Sequence, residues 1–341
     1  MRIIIFLILL LPFSLLSQTG GVNGFTFVNI ETSPRIESIG GNAISIYDGD
    51  LLLSQTTPSL LNQNMHNKIA FAFCDYFSDI NLLSFAYARE IKEIGVFSIA
   101  IKSINYGSFD LNDPVGNTNG SFSASDQVFT LGIGKTLHDR LSIGMNLSIL
   151  NSQYETYHSL ALSSNLSTTY HNSSKNFTST LLIKNIGRQI KSYSQYVEKI
   201  PFEIQLGVSK KLAHLPFRYH LSYNNLNQFF IESPYKLITQ TDLETGELEV
   251  KEETIAKTFL RHIVIGGELN PFRRNLFLRA GYSFQRRFDM TIRSYPALVG
   301  FSWGVGFSFS NFQLDYSRSS YHLSGVTNNF SIATNLSTFG I

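Results

Sequence analysis

The stretch Leu141-Ser142-Ile143-Gly144-Met145-Asn146-Leu147-Ser148-Ile149 sets an apolar residue at every odd position and a small or polar one at every even position. Successive side chains of a β-strand point to opposite faces, so this reads as a strand with one greasy and one polar side. Phe301, Trp303, Val305, Phe307 and Phe309 repeat the pattern against Ser302, Gly304, Gly306 and Ser308. Strands of soluble sandwiches run to about 5 or 6 residues. Longer alternating runs with a polar face of Gly, Ser, Asn and Thr suit a sheet with lipid outside and a wet or packed lumen inside. The expected fold is all-β: a transmembrane antiparallel β-barrel.

The ends and the composition agree with that compartment. Met1-Arg2 is a short positive start, residues 3–11 are apolar, Pro12 breaks the run and Ser17 is a small residue before a cleavage point. Residues 1–17 therefore read as a secretory signal peptide, too short to span a bilayer. The single cysteine, Cys74, is far from that point, which argues against a lipoprotein anchor and rules out an internal disulfide. Mean hydropathy is only +0.01 and charged residues make up 15% of the chain, yet Phe (28) and Tyr (16) are abundant. A barrel shows lipid only every second residue and carries aromatic girdles at both interfaces, which gives this profile. A net charge of +2 offers nothing to a nucleic-acid backbone.

Alternation places strands near 66–75, 80–89, 94–106, 125–134, 140–151, 158–170, 177–187, 201–211, 216–225, 258–269, 275–286, 297–309, 311–319 and 327–337. That is a barrel of about 14 strands. Residues 80–106 and 258–269 carry apolar residues on both parities, as expected where a lumen is packed. An even count puts both ends on the periplasmic side and makes long and short connections alternate. The even-numbered connections are all short, and the long ones (107–124, 188–200, 226–257 and 287–296) are all odd-numbered. The domain expectation is thus a signal peptide at 1–17, an N-terminal plug or hatch segment at 18–65, and a barrel at 66–341. Turn chemistry marks the N-terminal segment at Ser33-Pro34, Gly40-Gly41, Asp48-Gly49-Asp50 and Thr57-Pro58-Ser59, with a short helix expected within 43–53.

The long connection near 226–257 is acidic and is centred on Thr245-Gly246, which predicts a hairpin standing above the membrane. Tyr235, Glu244, Glu247 and Glu252 are its candidate partner contacts. No enzymatic chemistry is legible. The eight histidines are scattered without metal-ligand spacing, no nucleophile elbow or phosphate loop is present, and no cofactor is expected. Ser125, Asp126 and His138 are the right residue types for hydrolysis, but their spacing does not set them apart from ordinary lumen and rim residues.

Several strings carry a family resemblance. They are Gln18-Thr19-Gly20-Gly21; Ser33-Pro34-Arg35 through Gly40-Gly41-Asn42-Ala43 to Tyr47-Asp48-Gly49-Asp50; Met65-His66-Asn67; Ile104-Asn105-Tyr106-Gly107; and Ile183-Lys184-Asn185-Ile186-Gly187. Pro201-Phe202-Glu203-Ile204-Gln205-Leu206-Gly207-Val208 and Pro216-Phe217-Arg218 continue the series. In this the chain resembles the PorV/PorQ family of the type IX secretion system, on its PorQ side. The resemblance implies a barrel related to the fatty-acid transporter FadL, in the outer membrane of a Gram-negative bacterium of the Bacteroidota. It implies a non-catalytic anchor subunit of the attachment complex, holding a PorZ-like surface protein beside PorU/PorV-like subunits. There, secreted cargo is processed and linked to lipopolysaccharide. The alternative is a FadL-like transporter of hydrophobic small molecules, and a general porin is disfavoured because lumen charges such as Arg218, Arg279 and Glu203 look sparse.

Overall fold

A computed structural model describes residues 23–231, 240–241, 248–249, 254–272, 275–291, 298–322 and 325–340. The signal-peptide expectation lies outside them. The strands are β1 (Lys68–Asp75), β2 (Asn81–Ile91), β3 (Gly95–Asn112), β4 (Thr118–His138), β5 (Leu141–Tyr154), β6 (Tyr157–Asn172), β7 (Phe177–Lys191), β8 (Glu203–Lys211) and β9 (Phe217–Tyr223). Then come β10 (Gln240–Thr241), β11 (Leu248–Glu249), β12 (Ile263–Leu269), β13 (Leu276–Ser283), β14 (Phe301–Phe309), β15 (Phe312–His322) and β16 (Gly325–Asn335). All but β10 and β11 form one closed antiparallel barrel of fourteen strands. Each strand pairs with its sequence neighbour in the barrel, and β1 closes on β16 with Lys68 opposite Asn335.

The alternation sorts as the sequence dictates. Ile143, Met145, Leu147 and Ile149 are exposed on the outer wall, while Ser142 and Asn146 are buried on the inner one. Phe301, Trp303, Phe307 and Phe309 likewise face out, and Ser302 is buried inside. An exposed apolar band on a closed sheet is stable only where lipid covers it.

Four boundaries differ from the sequence expectation. Residues 107–124 are mostly ladder, since β3 and β4 extend toward a turn at 113–117. The strand expected at 258–269 begins only at Ile263; helix α3 (Ile255–Arg261) precedes it. The strand expected at 275–286 stops at Ser283, whose Oγ accepts from the Arg286 backbone N–H and caps helix α4 (Phe284–Met290). The strand expected at 297–309 begins at Phe301. Gln240 pairs with Glu249 and Thr241 with Leu248, the antiparallel pairing a hairpin needs, while its expected centre at Thr245-Gly246 lies outside the described residues.

The connections 76–80, 113–117, 155–156 and 192–202 share one rim with the ends of β9, β13 and β15 and the starts of β12, β14 and β16, here the long-loop rim. The other rim, the short-turn rim, holds the brief turns and the entry into β1 at Lys68.

Candidate functional site

Residues 23–67 run through the lumen from rim to rim. At the long-loop rim Asn23 bridges to Lys199, and the Gly24 N–H donates to the Lys199 carbonyl at 2.9 Å. At the short-turn rim the segment turns into β1. Its local structure follows from its caps. Ser33 caps helix α1 (Pro34–Ser38), with Pro34 at the first turn where a missing N–H costs nothing. Asp50 caps helix α2 (Leu51–Ser54) by accepting from the Leu52 N–H at 3.1 Å. The helix expected within 43–53 is therefore shorter and later, because the Asp48-Gly49-Asp50 turn must come first.

Apolar packing fixes both halves of the segment. Phe25 and Phe27 pack with Cys74, Leu82, Ile104, Val128 and Leu150. Leu51, Leu52, Leu61 and Met65 pack with Ala70, Ala72, Ala86, Ala88, Val96 and Ala100. The double-sided apolar pattern of residues 80–106 is thereby explained: one parity meets lipid and the other meets this segment. Close approach needs bare backbone on the wall. A Cβ on Gly144 would stand 2.3 Å from the Pro58 carbonyl carbon, and one on Gly281 would stand 2.0 Å from that of Ile39.

Charge supplies the latch. Arg35 donates from Nη2 to Asp48 at 2.8 Å, from Nη1 to Asp50 at 3.1 Å and from Nε to Glu268 of β12 at 3.0 Å. Glu268 also accepts from Arg279 Nε of β13 at 2.8 Å and from Arg218 Nη1 of β9 at 3.2 Å. Arg218 reaches Asp48 at 3.1 Å, and Arg279 pairs with Asp315 of β15. The side chains of Arg35 and Glu268 are each only 7% exposed, so water screens the network little. Burial disfavours an ionised Asp48, but the pull of Arg35 and Arg218 outweighs it and holds this carboxyl well below the ordinary carboxylate range.

A second tie lies toward the long-loop rim. The Glu37 carboxylate accepts from both Arg286 Nη atoms at 3.1 and 2.9 Å and from the Tyr321 hydroxyl at 2.9 Å. The Arg286 guanidinium also stacks 3.9 Å over the Tyr321 ring. A third is Lys102 of β3, whose ammonium donates to the carbonyls of Phe27, Val28 and Ile30 at 3.3, 3.0 and 3.1 Å.

Between the segment and the wall remains a cavity of about 380 Å³. Its lining is mixed. Ile30, Ile44, Leu53, Val128 and Leu150 give an apolar part; Asn29, Asn165, Asn185, Gln205 and Asn224 bring amides, and Lys184 and Glu203 bring charge. Lys184 lies 3.5 Å from Glu203, a looser pairing than the three hydrogen bonds that engage Lys102.

Of the candidates read from sequence, Tyr235, Glu244, Glu247 and Glu252 lie outside the described residues. Asp126 is buried and accepts from the hydroxyls of Tyr106 at 2.5 Å, Tyr154 at 3.0 Å and Ser152. Ser125 and His138 are not brought to it: Ser125 has the opposite parity, and His138 ends β4 at the other rim. Arg35, Asp48, Glu268 and Asp315 were missed as a set. The signal was available in part, since Arg218, Glu268, Arg279 and Asp315 all fall on the polar parity of strands β9, β12, β13 and β15.

No family model matches the chain, and no curated protein matches it. Among solved structures it aligns with the CymD monoaromatic hydrocarbon channel over 92% of its own length and 99% of that chain, at TM-score 0.50 and 11% identity. It aligns with the Pseudomonas putida toluene transporter TodX over 87% of its length and 95% of that chain, at TM-score 0.50 and 12% identity. The shared fold is the closed antiparallel barrel of fourteen strands. A Pseudomonas aeruginosa FadL homologue aligns over 89% of the chain and 98% of its own, at TM-score 0.49 and 9% identity. At such identities the likeness is one of architecture. Of the aligned proteins, CymD is a channel and TodX a transporter.

Proposed function

We propose that this FadL-like barrel transports a small amphipathic molecule across the outer membrane, with residues 23–67 as its hatch. The observation that carries the proposal is the lumenal cavity of about 380 Å³, which has an apolar side and an amide-rich, charged side. The architecture shared with a hydrocarbon channel and a toluene transporter supports a transport role. The lining argues for a guest with a polar end. Gln55 lines the cavity with a buried Nε2 that has no hydrogen-bond partner among the described residues, and a plain hydrocarbon would leave it so, at about 1–3 kcal/mol. Lys184, loosely paired, is the cation best placed to meet an anionic end.

Decanoate is a suitable probe, with a greasy body and one carboxylate. Titrated into the detergent-purified chain it should bind saturably, and Ser148→Trp, which fills the cavity from β5, should weaken binding by about tenfold or more, equivalent to ~1.4 kcal/mol. Equal binding by the variant, or no saturable binding by the natural chain, would refute the assignment.

A second reading is the non-catalytic anchor of the type IX attachment complex, holding a PorZ-like surface protein with PorU/PorV-like subunits near lipopolysaccharide. Its support is the PorV/PorQ resemblance together with the gathering of every long connection at one rim. The tagged chain, purified from outer membranes, should then retain a large surface protein that is lost when residues 232–253 are deleted. Retention by the deleted form, or by neither form, would count against this role.

A further inference from the structure

The wall of the barrel is barest where β12 meets β13. Gly266 pairs with Gly281, and Gly267 with Ala280, so no side chain larger than a methyl stands on either face of this block. On the lumen side the Ile39 backbone lies against Gly266 and Gly281. On the lipid side Gly267 and Ala280 form the floor of an apolar groove of about 470 Å³. Phe217, Ile265, Leu269, Leu278, Tyr282 and Phe301 border it. The Phe217 ring leans over the floor: a Cβ on Gly267 would lie 2.6 Å from it.

Elsewhere on these strands the outward positions carry bulky residues, so the groove is a local dent in the surface that acyl chains cover. Left unfilled it would forfeit the dispersion contacts of its lining. A cation stands two strands from the floor. Lys210 pairs with Tyr219, which pairs with Gly267. Lys210 is exposed on the lipid-side parity where β8 ends at the short-turn rim.

We propose, independently of what the lumen carries, that this groove binds one acyl chain of an anionic glycerophospholipid, preferred over zwitterionic ones because its headgroup is held by Lys210. The guest is a lipid of the leaflet at the short-turn rim. It lies against the single backbone layer that separates the membrane from Ile39 and Gly40 of the hatch.

Trp303 is the only tryptophan in the chain and pairs with Ala280, which makes it a built-in reporter. The full chain should be reconstituted in phosphatidylcholine vesicles containing a small fraction of phosphatidylglycerol with brominated acyl chains. Quenching of Trp303 should exceed severalfold the level set by bulk mole fraction. Ala280→Leu, which fills the floor, should return it to the bulk level, and Lys210→Ala should lower the excess. If Ala280→Leu gives no heat-modifiable barrel, Phe217→Ala opens the groove instead and should also abolish the excess. Quenching at the bulk level in the natural chain, or an excess that survives loss of the groove, would overturn the proposal. An excess seen only with brominated lipid A would overturn the assigned source.

Discussion

Arg35→Ala will unlatch the N-terminal segment while leaving the barrel closed. The guanidinium sits among Asp48, Asp50 and Glu268, with side-chain exposures of 7% for itself and Glu268 and 10% for Asp50. Removing one partner of a buried pair leaves uncompensated charge behind and costs about 3–5 kcal/mol, whereas replacing both partners by apolar groups is often neutral. Arg218 and Arg279 still face the acids, but among the described residues Asp50 has no second ion pair to fall back on. The barrel ladders contain none of the lost bonds, so heat-modifiability on gels should persist. Hydrogen exchange of amides in α1 and α2 should accelerate by roughly two to three and a half orders of magnitude, the equivalent of that loss. The double variant Arg35→Met with Glu268→Met should restore most of the protection. Unchanged exchange in Arg35→Ala would show that apolar packing alone holds the segment.

The barrel was legible in the sequence because its physics is periodic. Lipid outside and small polar residues inside impose a period of two that Leu141 to Ile149 displays without help from any partner, and all fourteen strands follow from it. Boundaries failed where local chemistry overrides the period. Phe259-Leu260 is apolar in either a strand or a helix, and only the structure assigns it to α3. Ser283 reads as one more lumen residue, yet as an N-cap it starts α4. The latch was less legible still. Asp48 and Asp50 carry the residue types of a tight turn, and both do shape one. Their second role depends on Arg35 meeting Glu268, two residues 233 positions apart in the chain. No local pattern encodes a contact of that range, although charges repeated on the inward parity of neighbouring strands are a usable hint.

Gly281→Val should empty the lumen by a purely steric route. The added Cβ would lie 2.0 Å from the carbonyl carbon of Ile39, 2.1 Å from the Gly40 nitrogen and 2.5 Å from the Ile39 Cα. Those are backbone atoms on a tight turn, with Gly40 at φ 106° and Gly41 at φ 81°, so no side-chain rotation relieves the clash. Overpacking a core costs typically about 1–3 kcal/mol when side chains can shift, and more when they cannot. The strand itself tolerates valine well, since β-branched residues fit a pleated ladder. The turn at Ile39–Gly41 must therefore move off the wall, carrying with it Glu37 and its tie to Arg286. In planar bilayers the natural chain, filled by its segment, should conduct ions poorly, and the variant should open a steady conductance. Ala280→Val makes a similar change one residue away on the lipid face and should leave conductance at the natural level. A closed Gly281→Val barrel, or equal conductance in both variants, would mean that the segment yields elsewhere and that contact with β13 does not hold the lumen shut.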